Sequence, residues 1–390
     1  MTSSTLAATG QWTSAGNLPS ASSWYGQNEG AVTLSDDTVL VAGGADGSAA
    51  ALATAAIFDP AAETWTATGP LQTPRRLHTT TALADGKVLV AGGISGPAQF
   101  PAPGLASAEL FDPAAGTWTG TGAMHQARWG HSAVRLADGT VLVAGGTTIR
   151  SGQSVRALRS AEVYDPATGD WTEATPMTDA RSGHAAVVLG NGRVLVAGGT
   201  VPVSRDDEAA LAFCELYNAD TDTWTPTGDL LAPRGRHQAA LVSATTVLVT
   251  GGAAPGAPSD GTFDPNSLAT AELFTQSAGT WSAVQDMPGG RTLHRAVPLG
   301  ANKILVVGGT GDARDDAGYA SALIFDTAAG TWATAGGLGT GRWAFAAAAL
   351  PDDRVLVTGG VVRSGLAAAS PDVDELTAST EIFSTEPVIG

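Results

Sequence analysis

Four side chains are candidates for acid–base chemistry, because each can move a proton or orient a group that does so. They are Glu29, Tyr25, His237 and His294. A partly desolvated carboxylate at Glu29 would act as a general base or acid, and Tyr25 would donate a proton or an orienting hydrogen bond. These residue types predict proton-transfer chemistry such as isomerisation, epimerisation, cyclisation or elimination.

A second set of side chains would hold a small organic substrate. Arg291 and Arg236 suit an oxyanion, and indole rings with a few polar groups are typical of a small-molecule pocket. The predicted substrate-binding residues are Trp24, Gln27, Asn28, Arg76, His125, Trp129, Arg236, Arg291, Trp343 and Phe345. Each of these residues lies in a unit that departs from a pattern repeated along the chain. The fold that this repeat predicts therefore determines whether they lie close together.

Seven units of similar sequence fill the chain. A unit contains an apolar run that ends in a diglycine, then an aromatic residue, then a tryptophan seven residues after that aromatic. The tryptophans are spaced by 53 residues four times, then by 57 and 51. Trp12 precedes the first diglycine, and Phe383 has no tryptophan after it. We therefore predict four short strands, a to d, in each unit, with the N-terminal strand near Trp12 completing the C-terminal unit and closing a ring.

The diglycine, the aromatic residue and the tryptophan at a period near 50 resemble kelch repeats over essentially the whole chain. The resemblance implies an all-β fold: a seven-bladed β-propeller of four-stranded antiparallel blades, forming one kelch-type domain over residues 1–390. Kelch propellers include copper radical oxidases, sialic acid mutarotases, glutaminyl cyclases, nitrile specifiers and peptide-binding adaptors, so the fold alone does not select a function. The chain has no Tyr-His dipeptide, and we expect no copper radical chemistry.

An arginine follows six of the tryptophans by ten residues, and a histidine follows five of these arginines by three residues. A substrate has no seven-fold symmetry, so we interpret the repeated histidines mainly as hydrogen-bonded scaffold. A glutamate precedes the strand-c aromatic by two residues in five units, which predicts an Arg–Glu pair within the blade. Leu323 replaces that glutamate in the sixth unit. Arg291 would then be free to bind an anion or carbonyl, or would pair with a neighbouring blade.

The first unit departs most from the pattern. A four-residue insertion, 22–25, follows Trp12, which leaves Gly26 at the arginine position and Glu29 at the histidine position. The gap from diglycine to aromatic, which contains the b–c loop, varies from 14 to 23 residues, whereas the other spacings are nearly constant. Because loops on a rigid scaffold carry function, we predict the site at the central funnel, on the face shared by the d–a and b–c connections.

Composition narrows the possible partners. Lys plus Arg is 20 and Asp plus Glu is 37, a net charge of −17, which disfavours nucleic acid. One cysteine excludes a disulfide framework. No apolar run is long enough to span a membrane, and Met1–Gly10 lacks the basic and apolar segments of a secretory signal. The Lys-poor, Ala/Gly-rich composition is typical of a high-GC bacterium.

Two functions follow as expectations. The first is a cytoplasmic, cofactor-free and metal-free enzyme of isomerase, cyclase or lyase type, acting on a small biosynthetic substrate as a monomer or weak homodimer. The alternative is a non-catalytic kelch binding module for an acidic peptide or protein partner, or for a carbohydrate. The mutarotase and cyclase members of the family favour the first function, and its peptide-binding adaptors favour the second.

Overall fold

In a computed structural model, residues 10–26, 30–97, 103–149, 155–203, 207–255, 267–300, 302–311 and 317–385 are described. Across these residues the chain forms seven four-stranded antiparallel sheets. They are the blades of a propeller, which confirms the predicted all-β class. The helical structure in this part of the chain is one short 3₁₀ turn, Gly365–Ala367.

The strands are numbered in chain order. The strand that precedes blade 1 and the strands of blades 1 and 2 are β1 (Gln11–Asn17), β2 (Ala31–Thr33), β3 (Val39–Ala42), β4 (Ala55–Asp59), β5 (Thr64–Ala67), β6 (Thr79–Ala82), β7 (Val88–Ala91), β8 (Ala108–Asp112) and β9 (Thr117–Gly120). Blades 3 and 4 with their hairpins are β10 (Ser132–Arg135), β11 (Val141–Ala144), β12 (Thr147–Thr148), β13 (Arg156–Ala157), β14 (Ala161–Asp165), β15 (Asp170–Ala174), β16 (Ala185–Val188), β17 (Val194–Ala197), β18 (Thr200–Pro202), β19 (Glu208–Ala210), β20 (Cys214–Asn218) and β21 (Thr223–Pro226). Blades 5 to 7 follow as β22 (Gln238–Ser243), β23 (Thr246–Thr250), β24 (Ala271–Thr275), β25 (Thr280–Ala283), β26 (Arg295–Pro298), β27 (Lys303–Val307), β28 (Ser321–Asp326), β29 (Thr331–Gly337), β30 (Ala346–Leu350), β31 (Arg354–Thr358), β32 (Val361–Arg363), β33 (Glu375–Leu376) and β34 (Ser379–Ser384).

Blade 7 is assembled from distant parts of the chain. Its sheet order is β1-β34-β31-β30. Trp12 on β1 stands opposite Phe383 on β34, and the two ring centres are 5.2 Å apart. The predicted closure of the ring by the N-terminal strand is therefore confirmed.

The hydrophobic core lies between neighbouring blades. The last four residues of the second strand are buried in each blade, as in β7 with the sequence Val-Leu-Val-Ala. One cluster joins Leu89 of blade 2 to Val141 and Tyr164 of blade 3. Because both faces of these segments are covered, their sequences are nearly all apolar instead of alternating.

The diglycines are required by the contact between blades. Gly92 has a φ of 65°, and a Cβ at this residue would lie 2.7 Å from the carbonyl oxygen of Arg128 in blade 3. Gly145 approaches the Arg181 carbonyl in the same way, at 2.6 Å. Only glycine combines this backbone conformation with so close a contact, which explains why a diglycine marks every unit.

The long connections lie on one face of the propeller, as predicted. Isolated β-bridges join the d–a connection of a blade to its own b–c connection, as between Arg76 and Ile94. In three blades the b–c connection also forms a two-stranded hairpin: β12–β13, β18–β19 and β32–β33. This face therefore carries the irregular structure from which a binding site is built.

Candidate functional site

Five blades contain a buried Arg–Glu ion pair, which confirms the prediction from the repeat. The Nη2–Oε1 distances are 2.5 to 3.1 Å, and the arginine side chains are 0% exposed. The pairs are Arg75–Glu109, Arg128–Glu162, Arg181–Glu215, Arg234–Glu272 and Arg342–Glu381.

Each pair also holds the backbone of its blade. Arg75 donates from Nη1 to the carbonyls of Gly92 and Ser107, at 2.9 and 3.0 Å. Glu109 accepts the N–H groups of Gln72 and Thr73. A buried ion pair needs such additional hydrogen bonds to offset its desolvation. We call this arrangement the blade clamp, because it fixes the d–a connection to strands b and c.

The prediction that Arg291 is free to bind a ligand is wrong. Its Nη1 donates to the carbonyls of Gly308 and Ser321, and its Nη2 donates to the Ser321 hydroxyl. The guanidinium also lies 5.6 Å from the centre of the Tyr319 ring. These partners belong to blade 6 itself, so the alternative of a pair with a neighbouring blade is also wrong. Arg291 is 3% exposed and completes a clamp in which Leu323 replaces the glutamate.

A proline marks the two blades that lack the glutamate. In blade 2, Glu109 accepts the N–H of Gln72, three residues before Arg75. The corresponding residues are Pro19 in blade 1 and Pro288 in blade 6. Proline has no N–H to donate. Blades 1 and 6 therefore lack both the glutamate carboxylate and one of the backbone N–H groups that would donate to it. This signal is present in the sequence, but a comparison of charged positions alone misses it.

The repeated histidines lie between neighbouring blades. A hydrogen bond of 2.8 Å joins Nε2 of His184 in blade 4 to the hydroxyl of Ser132 in blade 3. The same contact of 3.1 Å joins His131 to Thr79 of blade 2. Burial, followed by the charge of the nearby arginine, lowers the pKa of both histidines well below the ordinary value. The structure therefore supports the scaffold interpretation of these residues.

This burial contradicts the prediction of His237 and His294 as proton carriers. Both side chains are 0% exposed. Burial, and then the charge of Arg234, lowers the pKa of His237 to about 3. Nε2 of His294 makes a hydrogen bond of 2.9 Å with the Thr250 hydroxyl, and burial lowers its pKa as well. Neither imidazole meets a substrate in the funnel or titrates near neutral pH.

The structure corrects the alignment of the first unit. The carbonyl of Ser22 accepts the N–H of Gly360 at 2.8 Å, as the arginine carbonyls do for the diglycines of other blades. Ser22, rather than Gly26, therefore stands at the arginine position. The four inserted residues are 25–28 instead of 22–25.

Trp24, Trp343 and Phe345 are packed inside the propeller, which contradicts their prediction as substrate-binding residues. Their exposures are 1%, 0% and 0%. A Cβ on Gly359 would contact the Trp24 ring, and one on Gly308 would contact the Phe345 ring, as the histidine rings contact this glycine in other blades. These two rings thus fill the space that a histidine ring fills in other blades. Phe345 does so from the histidine position of blade 7, and Trp24 does so from the position that Leu77 has in blade 2.

Each blade contributes one residue to the funnel, two positions after its arginine or, in blade 1, after Ser22, and backbone hydrogen bonds join several of these residues across neighbouring blades. Gly130 donates its N–H to the Leu77 carbonyl, Gly183 to Gly130, and Arg236 to Gly183. Ala344 donates to Leu293, and Trp24 donates to Ala344. We call these seven residues the funnel ring: Trp24, Leu77, Gly130, Gly183, Arg236, Leu293 and Ala344.

A cavity of about 350 Å³ lies at the funnel ring. It brings together four of the predicted residues: Tyr25, Arg76, Trp129 and Arg236. Its other lining residues are Gly26, Ala49, Leu77, Gly130, His131, Thr147, Ser182, Gly183, His184, Thr200, Glu208 and Leu293. We call it the funnel cavity. It lies where the site was predicted, at the funnel on the d–a/b–c face, and its use as a functional site stays a prediction.

The funnel cavity contains an accessible ion pair and a tyrosine. Arg236 Nη2 lies 2.9 Å from Glu208 Oε2, and these side chains are 46% and 35% exposed. The Tyr25 hydroxyl donates to Asp374 Oδ2 at 2.8 Å, which connects the insertion of blade 1 to the b–c loop of blade 7. Burial raises the pKa of Asp374, and the hydrogen bond from Tyr25 partly opposes that rise.

The remaining predicted residues lie elsewhere. His125 is on the outside of blade 3, where its 51% exposed side chain contacts Glu162 at 3.0 Å, and it does not line the funnel cavity. Gln27, Asn28 and Glu29 fall outside the described residues, so the roles predicted for them stay predictions.

The thiol of Cys214 does not line the funnel cavity, and no metal site was found beside it in the described residues. Cys214 is buried, and burial raises the pKa of its thiol to about 11. Within the described ranges, no three side chains of His, Cys, Asp or Glu are grouped so that they could hold a metal ion. The same ranges contain no helix with the length and apolar character needed to cross a membrane.

The repeats match a known sequence family. Residues 130–360 match the KLHDC2/KLHL20/DRC7 Kelch-repeats domain, and this match covers more than half of the chain. The chain belongs to the kelch-repeat family. The resemblance expected from the diglycine, the aromatic residue and the tryptophan is thereby confirmed.

Kelch relatives resemble this chain over part of their length. Kelch-like protein terF of Aspergillus terreus is 29% identical over 269 residues, which are 66% of this chain and 55% of that protein. Human Kelch-like protein 34 is 28% identical over 194 residues, which are 50% of this chain and 28% of that protein. The chain thus spans about half the length of the first relative and less than a third of the second.

Solved structures share the kelch propeller fold. A fungal alcohol oxidase of the AA5 family, in complex with copper, superposes with a TM-score of 0.72 at 18% identity, covering 96% of this chain and 76% of that one. The structure of YjhT gives a TM-score of 0.59 at 14% identity, covering 80% of this chain and 96% of that one. At such identities the likeness concerns the fold alone.

The funnel cavity includes residues that the sequence analysis did not select. Glu208 lies in the run of charged residues 205–208, where nothing in the repeat pattern marks it. Ser182 is equivalent to Arg76 and Trp129, since all three form the same bridge to a b–c connection. The signal in the sequence is the position two residues before each repeated histidine, which is Trp343 in blade 7. These equivalent positions surround one funnel.

Proposed function

We propose that this kelch propeller is a non-catalytic binding module whose funnel cavity holds a carboxylate-bearing segment of a partner protein. The observation that carries the proposal is the lining of the cavity, where Arg76 of blade 2 and Arg236 of blade 5 accompany Trp129 and Tyr25. Guanidinium groups bind carboxylates through two parallel hydrogen bonds, and aromatic side chains add contact area at low entropic cost.

The backbone at Arg236 supports this role. Arg236 has a φ of 54°, and Gly130 and Gly183 occupy the equivalent positions. A residue other than glycine in this conformation costs on the order of 1 kcal/mol. The other non-glycine residues of the funnel ring in this conformation, Leu77, Leu293 and Ala344, pack in apolar clusters that offset the cost. The Arg236 side chain, in contrast, is 46% exposed. Contact with a ligand explains why a charged side chain stands there.

Glu208 is a competitor that a ligand can replace. Its ion pair with Arg236 joins two accessible groups, and such pairs contribute only about 0–1 kcal/mol. An incoming carboxylate would therefore exchange with Glu208 at little cost. This arrangement also explains how a chain with a net charge of −17 keeps a cation at the funnel.

The acid–base enzyme expected from the sequence stays a prediction. His237 and His294 are buried, whereas Tyr25 lines the funnel cavity and Glu29 lies outside the described residues. Loss of a turnover activity in Glu29→Gln and Tyr25→Phe, with ligand binding unchanged, would favour the enzyme over the binding module.

The test is a titration with a fluorescent, end-blocked tetraglutamate peptide, followed by anisotropy, with tetraglutamine as the neutral control. We expect the glutamate peptide alone to bind, and to bind more weakly as salt is added. Arg236→Gly should weaken binding about tenfold or more, since a hydrogen bond to a charged group contributes about 1.5–3 kcal/mol. Glu208→Gln should tighten binding.

Arg193→Ala is the matched control, because Arg193 is an exposed arginine on the opposite face of the propeller, next to the turn between strands a and b of blade 4. Arg236→Gly should also leave the free energy of unfolding unchanged or raise it by about 1 kcal/mol, because glycine relieves the backbone cost. Equal binding of both peptides, or equal effects of Arg236→Gly and Arg193→Ala, would exclude the proposal.

A further inference from the structure

Blade 1 contains a second cavity, at the place where five other blades hold the Arg–Glu pair. Its volume is about 150 Å³, and Ser22, Thr54 and Ala56 are among its lining residues. Ser22 stands at the arginine position, and Ala56 stands at the glutamate position. The other lining residues are Leu18, Pro19, Ser20, Trp24, Val41, Ala55, Ala67, Thr68 and Pro70. It shares no lining residue with the funnel cavity.

Six blades show what this position holds when an arginine is present. In blade 7, Arg342 donates from Nη1 to the carbonyls of Gly359 and Ser379, and from Nη2 to the Ser379 hydroxyl. Arg75 of blade 2 uses the corresponding groups of Gly92 and Ser107. The acceptor set is therefore two carbonyls and, in most blades, one hydroxyl.

Blade 1 retains this acceptor set. Gly43 has a φ of 63°, close to the 65° of Gly92. Its N–H donates to the Thr54 carbonyl at 2.9 Å, as the N–H of Gly92 donates to Ser107 at 3.1 Å. Thr54 also supplies a hydroxyl at the position of the serine. The acceptors for a guanidinium are thus in place, but the short Ser22 side chain leaves the space open.

Blade 6 shows that the acceptors hold a guanidinium without the glutamate. Arg291 is 3% exposed although Leu323 stands at the glutamate position. It is held by the carbonyls of Gly308 and Ser321, at 3.0 and 3.3 Å, and by the Ser321 hydroxyl at 3.1 Å. The carboxylate is therefore not required for these acceptors to hold a guanidinium, although the Tyr319 ring, 5.6 Å away, also contacts the one in blade 6.

We propose that the blade 1 cavity binds a guanidinium group supplied by another molecule. The group would donate to the carbonyl and hydroxyl of Thr54, which lines the cavity, and to the carbonyl of Gly43, whose N–H is hydrogen-bonded to that Thr54 carbonyl. A cavity of about 150 Å³ holds a molecule as large as benzene, so a guanidinium fits. Guanidinium is weakly hydrated for a cation, and the net charge of −17 attracts cations to the surface.

The probe is methylguanidinium chloride, titrated into the full chain labelled with ¹⁵N. Trp24 lines the cavity, and its Nε1 donates to the Ala42 carbonyl at 3.1 Å, so its indole signal reports on this site. We expect a saturable shift of that signal with methylguanidinium and none with methylammonium at the same concentration. Trp24→Phe assigns the signal.

Two variants test the mechanism. Ser22→Arg places the guanidinium on the chain itself, as in the other blades, and should abolish the saturable shift. Ala56→Glu restores the carboxylate and should tighten binding about tenfold relative to Ala56→Gln, since a charge-assisted hydrogen bond is added. If Ser22→Arg does not fold, the comparison of the two Ala56 variants decides.

Free L-arginine and an end-blocked Gly-Arg-Gly peptide distinguish the source of the group. Tighter binding of the free amino acid indicates a small metabolite, and tighter binding of the peptide indicates a side chain of a partner protein. The proposal is overturned if the unmodified chain gives no saturable shift, whatever Ala56→Glu gives, or if a folded Ser22→Arg gives the same shift as the unmodified chain. These results do not depend on Arg76 and Arg236, so they are separate from the test of the funnel cavity.

Discussion

The buried histidines are neutral groups that connect the blades, and each resists protonation in the folded state. Burial, and then the charge of the neighbouring arginine, together lower the pKa of His78 and of His237 to about 3. In the unfolded chain a histidine has a pKa of about 6.5. Between these two values the unfolded state binds more protons than the folded state, so stability falls as the pH falls.

His237→Phe should therefore weaken the loss of stability below neutral pH. Each such histidine lowers stability by up to about 1.4 kcal/mol for each pH unit as the pH falls from 6.5 towards 3, whereas above pH 7 both states are mostly neutral and the slope is near zero. Phenylalanine is the matched replacement, because Phe345 fills the equivalent position of blade 7. Urea midpoints measured from pH 7 to pH 4 give the slope.

The reciprocal variant is Phe345→His, which adds a buried histidine to blade 7 and should steepen the same slope. If both variants follow the unmodified chain over the whole range, the buried imidazoles do not control acid stability. The same measurement then assigns acid unfolding to the carboxylates.

At the scale of the element, the blade clamp explains how an irregular connection is held in one conformation. Glu272 accepts the N–H groups of Leu231 and Ala232 as well as Arg234 Nη2. Removal of this carboxylate leaves one buried cation and two backbone donors without their partner. The clamp is thus a cooperative unit, since each member satisfies the others.

Glu272→Leu should lower the free energy of unfolding by about 3–5 kcal/mol, because it breaks a buried ion pair on one side only. The double variant with Leu231→Pro should recover part of that loss, since proline removes one of the orphaned donors. Blade 6 already has this combination as Pro288 and Leu323. Urea unfolding of both variants provides the comparison, and a double variant less stable than Glu272→Leu would refute the assignment.

At the scale of the whole molecule, stability depends on how the ring closes. Six blades are built from consecutive strands, but blade 7 takes its outer strand β1 from the other end of the chain. β1 is hydrogen-bonded to β34, and the Trp12 indole donates to the Ala335 carbonyl of blade 6 at 3.0 Å. Opening of β1 would expose a sheet edge and the core between the two end blades.

Trp12→Ala should increase the rate of amide hydrogen exchange in β34 by about tenfold or more, equal to about 1.4 kcal/mol of opening free energy. Trp332→Ala is the matched control, because Trp332 is also half-buried and donates its indole N–H to the Gln285 carbonyl of the preceding blade. Its strand is continuous with the rest of blade 6, so we expect a smaller effect on β28. Equal effects would mean that the closure is no weaker than any other contact between blades.

The sequence by itself determined the fold. Diglycines, aromatic residues and tryptophans recur because every blade needs the same close contacts, so seven repetitions predict seven blades. The unmatched Trp12 and Phe383 predicted the closure, and the paired occurrence of arginine and glutamate predicted the buried ion pairs. The blades, the closure and the ion pairs follow from the spacing of residues within a repeat, and each repeat shows that spacing independently.

Only the tertiary structure decided which of the unusual residues line the funnel cavity. Counting along the chain cannot place a four-residue insertion, since insertion at 22–25 or at 25–28 leaves the same total length. The hydrogen bond from Gly360 to Ser22 selects the second alignment. Likewise, Arg76 and Arg291 have the same side chain, but one lines the funnel cavity and the other completes a clamp. Side-chain direction and burial depend on the neighbouring blade, and residue order in a single blade does not contain that information.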